Sequence, residues 1–119
     1  MAITIVEVPV LVNTAVERPN WMLNAVSSDA SAGEILKAPV TDKHHFIEKI
    51  SVTFKSGGTN WWKLLDGTTE IVGPVTMIDG GTWLYNFVHP IQIQASSNLK
   101  IKTKAAGDIH VQIEGFTEP

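Results

Sequence analysis

The feature that most constrains this chain is a run of short segments, each alternating apolar and polar residues, separated by turn-forming residues at regular intervals. From Phe46 to Lys55 the sequence FIEKISVTFK sets Phe46, Ile50, Val52 and Phe54 on one side and Lys49, Ser51, Thr53 and Lys55 on the other. That two-residue period belongs to a half-buried β-strand. Glu48 interrupts the apolar side, which suggests that this end of the strand lies near solvent. Trp61–Leu65 and Thr69–Val72 flank Asp66-Gly67, a dipeptide that favours two-residue hairpin turns. Gly73-Pro74 is expected to end that hairpin, and Asp79-Gly80-Gly81 marks another turn. A strand over Trp83–Val88 should stop at His89-Pro90, because proline cannot donate to a ladder. Ile91–Ala95, Leu99–Thr103 and Ile109–Ile113 follow, divided by SSN and AGD. No window carries the i, i+3, i+4, i+7 pattern of an amphipathic helix. Ser27–Leu36 is rich in Ser, Asp and Gly and reads as a loop. Strands at such intervals indicate an all-β, antiparallel β-sandwich or barrel.

The N-terminal stretch behaves differently. Residues 1–12 are apolar and β-branched, but the alternation changes phase near Glu7, and Pro9 confines the segment to an edge strand or an extended arm. Ile3 and Ile5 hold one parity, and Val6, Val8, Val10 and Val12 the other. Such a segment needs cover on both sides. These six residues are therefore the expected subunit or partner contact, and 13–119 the single sandwich domain. A length of 119 residues suits one domain.

The chemistry on offer is sparse. With no cysteine, thiol catalysis, disulfides and thiolate metal sites are excluded. His44 and His45 are adjacent and would face opposite sides of a strand, so they cannot share one ion in regular geometry. The His-x-His pair of cupin metal sites is absent, and His45 with Glu48 resembles it only superficially. His110 should point outward with Gln112. No serine sits in a nucleophile elbow. Asp66 and Asp79 precede glycines, and turn formation accounts for them. The expectation is no enzyme, no catalytic residue, no metal and no cofactor. A net charge of −3 argues against a nucleic-acid groove, and no apolar run reaches the length of a membrane span. The lysines Lys100, Lys102 and Lys104 on one strand face read as protection of a sheet edge, or as a surface for an acidic partner.

Aromatic residues are the remaining candidates. Trp61 and Trp62 are consecutive, so one must face away from the core, while Trp83, Tyr85 and Phe87 share a face. Trp61, Trp62, Trp83 and Tyr85 could serve a subunit interface, where aromatics are enriched, or a platform that stacks on sugar rings.

The cadence FIEKISVTF, WKLLDGTTEIVGP, FVHPIQI, SSNLKIKT and DIHVQIEGF, from His44 to Phe116, resembles small virion structural proteins of tailed bacteriophages that decorate or cement capsids. That resemblance implies a jelly-roll-like sandwich working by adhesion. It implies a homo-oligomer (dimer or trimer) that binds the major capsid protein or another virion protein. Its location would be the capsid surface, after synthesis in the host cytoplasm. The alternative is a carbohydrate-binding or host-recognition module of a fibre.

Overall fold

A computed structural model describes residues 3–9 and 20–119. It contains nine strands: β1 (Thr4–Pro9), β2 (Asn20–Ser27), β3 (Glu34–Lys37), β4 (His44–Phe54), β5 (Asn60–Asp66), β6 (Thr69–Met77), β7 (Thr82–Gln92), β8 (Leu99–Thr103) and β9 (Ile109–Glu118). One sheet has the order β1-β2-β9-β4-β7 and the other β3-β8-β5-β6, and every pairing is antiparallel.

The pairings are nested. β5 pairs with β6, β4 with β7, β3 with β8 and β2 with β9. This is one long ribbon, β2–β5 running out and β6–β9 returning, rolled so that successive segments alternate between the sheets. The chain is therefore an all-β jelly-roll sandwich. Its tip is the β5–β6 hairpin, where Gly67 takes a positive φ of 60° at the expected Asp66-Gly67 turn. Asp66 does more than turn the chain. It is buried, and its carboxylate accepts from the Gln94 amide at 2.9 Å and the Ser97 hydroxyl at 2.6 Å. The tip is thereby tied to the β7–β8 loop.

Inward side chains from both sheets form one core, with Leu23, Ile50, Phe54, Trp62, Ile101 and Ile113 among its fully enclosed members. β8 and β9 alternate as the sequence indicates: Leu99, Ile101 and Thr103 point in, and so do Ile109, Val111 and Ile113.

Several boundaries differ from the sequence reading. β3 begins within Ser27–Leu36, which the sequence reads as a loop, and β2 is a further strand, five of whose eight residues are apolar. β6 runs through Gly73-Pro74, which forms a cis peptide inside the strand instead of ending it. β7 likewise runs through His89-Pro90. Its pairing with β4 jumps from Lys49↔Asn86 to Ile47↔Ile91, so the proline lies where the ladder is already interrupted.

The largest correction concerns β4. Its register against β9 passes from Ile47↔Gly115 to Lys49↔Glu114, leaving Glu48 as a one-residue bulge. An extra residue inverts the alternation. Beyond the bulge Ile50, Val52 and Phe54 point inward, as expected. Before it, His45 and Ile47 point inward and are buried, and Phe46, half-buried on the other face of the sheet, stacks on the buried Phe116 with ring centres 4.6 Å apart. Glu48 thus interrupts the apolar side as the inserted residue, and solvent proximity is not the cause.

Gly115 sits opposite Ile47 at this point. A Cβ there would lie 2.0 Å from the Phe46 carbonyl oxygen and 2.9 Å from the Trp21 ring. Neither neighbour can withdraw without moving a central strand. Gly115→Ala is expected to destabilise the fold by at least about 3 kcal/mol, read as a lowered urea midpoint.

Candidate contact surface

Three groups of residues were candidates from sequence, and the fold treats each differently. The N-terminal residues come first. β1 adds to β2 at the edge of the five-stranded sheet, in register from Thr4↔Val26 to Pro9↔Trp21. Ile3 and Ile5, expected at a partner contact, pack partly against the chain's own core. Val6 is 57% exposed on the other side. The Val8 side chain and residues Val10 and Val12 lie outside the described set.

The aromatic residues separate. Trp62 is completely buried, and its indole N–H points at the Met77 sulfur, 3.1 Å away. Trp83 meets Trp62 edge-on at 5.2 Å, Tyr85 stacks on Trp83 at 5.6 Å, and Phe87 follows at 4.9 Å. This ladder lines the inner face of β7 and closes the side of the sandwich where β6 and β7 are the sheet edges. Trp61 lies on the opposite, outward face of β5, beneath the Lys63 ammonium at 5.1 Å. The four residues thus do not make one platform. Trp62→Ala is expected to cost about 3–5 kcal/mol. Trp61→Ala, losing a half-buried indole and its cation–π contact with Lys63, should cost less, about 2 kcal/mol. Thermal melts of the two variants make the comparison.

The histidines also separate. His44 and His45 face opposite sides, as adjacency requires. His45 is the inward one and only 1% exposed. Its Nδ1 is 2.7 Å from the Thr117 hydroxyl and its Nε2 is 2.7 Å from the Ala38 carbonyl oxygen. The Trp21 indole N–H donates to the same hydroxyl at 2.9 Å. A carbonyl can only accept, so Nε2 carries the proton, and the Thr117 O–H donates to Nδ1. The neutral imidazole satisfies every group. Lys37 covers this cluster, its ammonium 5.0 Å from the Trp21 ring and ion-paired to Glu7 of β1.

Burial holds His45 below the ordinary histidine value, opposed by the Ala38 carbonyl and helped by the nearby Lys37 charge. The unfolded chain takes up a proton near pH ~6.5 that the folded chain refuses, so stability is full above that pH and falls below it. The melting temperature should drop between pH 7.5 and 5.5, and His45→Gln should flatten that slope. Among the described residues no three His, Asp or Glu side chains converge as a metal cluster, and no helix is long and apolar enough to cross a membrane.

The two outward faces contrast. On the four-stranded sheet, β8 is paired on both sides, so Lys100 and Lys102 protect no edge, contrary to the sequence reading. Lys102 stands directly opposite Lys63, which is ion-paired to Glu70. This face is cationic. The five-stranded sheet presents rows that cross all its strands. One is Thr4, Val26, His110, Thr53 and Thr82; the next is Val6, Asn24, Gln112, Ser51 and Leu84. A third holds Met22, Glu114, Lys49 and Asn86, with Lys49 and Glu114 paired at 3.7 Å. Val26 is 44% and Leu84 68% exposed. No sequence motif marks this face, since its rows form only when five strands are set side by side.

No family model matches the chain, and no curated protein matches it. Among solved structures, the cupin domain of Cnp3 from Schizosaccharomyces pombe is similar over 96% of this chain, at 10% identity and a TM-score of 0.39. The chain spans 65% of the length of that domain.

Proposed function

We propose that this protein is a structural component of a tailed-phage virion, a decoration or cement protein that lies on the major capsid lattice and stabilises the head by non-covalent adhesion. The observation that carries this reading is the near-neutral outward face of the five-stranded sheet. The solvated side of an antiparallel sandwich sheet ordinarily alternates to polar and charged residues. Here the described rows carry valines, methionine, leucine, uncharged polar residues and His110, with Lys49 and Glu114 as an ion pair among them. Covering such a face strips water from few charges, so contact with a flat partner costs little desolvation.

The test uses heads from the source culture, freed of this chain by mild chaotrope and then offered the purified protein. The wild type should rebind, and Val26→Glu should weaken rebinding at least ten-fold with an unchanged melting temperature. Lys102→Glu, on the opposite face, should rebind normally. Absence of the chain from purified particles would sink the virion reading. Normal rebinding by Val26→Glu would remove this face from it. Glycan binding that is lost in Tyr85→Ala, with assembly intact, would favour host recognition instead.

A further inference from the structure

Open sheets expose unpaired backbone at their edges, and proteins normally blunt them with charge, proline, bulges or brevity. Among the described residues the edge strands are β1, β7, β3 and β6. β1 is six residues long and includes Glu7 and Pro9. β3 has four residues, two of them charged, and a register break. β6 carries Glu70 and Pro74 and breaks register twice against β5.

β7 differs. From Thr82 to Asn86 it pairs with β4 without interruption. This segment, TWLYN, holds no charged residue and no proline, and its interruption and Pro90 come only afterwards. Leu84 is exposed, and Val88 just beyond is 87% exposed.

We propose that the free edge of β7 pairs with the same edge of a second copy, antiparallel about a two-fold axis near Leu84. The strand is self-complementary in that arrangement. Leu84 meets Leu84 of its copy, Thr82 meets Asn86, and Trp83 meets Tyr85. No charge faces a like charge, and the aromatic ladder of one chain continues into the other through cross-strand aromatic pairs. The contact is isologous and closes at two chains. A two-fold that makes adjacent strands antiparallel stands perpendicular to the sheet. The result is one ten-stranded sheet with both neutral faces on the same side. This inference stands on the edge geometry and does not depend on the virion reading.

The chain has no cysteine, so a single introduced thiol reports the contact cleanly. Leu84→Cys should form a disulfide-linked dimer under mild oxidation at least ten times faster than Val26→Cys, which lies on the same face far from β7. Sedimentation of the wild type should give the mass of two chains. Leu84→Lys should give the mass of one, with an unchanged circular dichroism spectrum. A wild type that stays monomeric up to millimolar concentration overturns the proposal. Equal cross-linking of the two thiol variants, or a mass that grows without limit, does so as well. Because Val26 lies away from the β7 edge, failure here is distinguishable from failure of its particle-binding test.

Discussion

The tight turn at Asp66-Gly67 is the constraint on which the remaining topology depends. It sets β5 against β6, and each further pairing, β4 with β7, β3 with β8 and β2 with β9, extends the same ribbon. Because each step along the ribbon changes sheet, the sandwich closes on a single apolar layer. Asp66 acts at both scales, turning the chain locally and holding the Gln94 amide and Ser97 hydroxyl of a loop some thirty residues away.

A second interruption shapes the other end. The bulge at Glu48 inverts the alternation of β4 and turns His45 into the core, where Thr117, Trp21 and Ala38 satisfy it. A histidine can be enclosed there because both ring nitrogens find partners while it is neutral. The Glu7–Lys37 pair spans the same end, joining the edge strands β1 and β3 of the two sheets.

The two outward faces then divide the surface by charge. Lysines gather over β5 and β8, and uncharged side chains over the sheet from β1 to β7. Lys63, Lys100 and Lys102 gather on one face, while the described rows of the other hold the Lys49–Glu114 pair and otherwise few charges that would resist dehydration. Among the described residues β7 is an edge that borders that near-neutral face, so pairing there would enlarge it without turning it over.

Alternation and turn residues were enough to read the all-β class, the β5–β6 hairpin, and the inward sets of β8 and β9, because period and turn chemistry are local. They were enough also to keep β1 from a central position, leaving an edge strand or an extended arm, since proline lacks the amide a central strand must donate. What escaped local reading depends on partners distant in sequence. The alternation of β4 depends on its register against β9, more than sixty residues on. Whether β8 is an edge depends on β3 and β5, and whether Trp83 is core depends on Trp62. The neutral face exists only where five strands lie side by side. Sequence by itself determined that the chain must form strands and where several of them turn. Tertiary structure alone decided which neighbours each strand has, because register and edges are properties of paired strands.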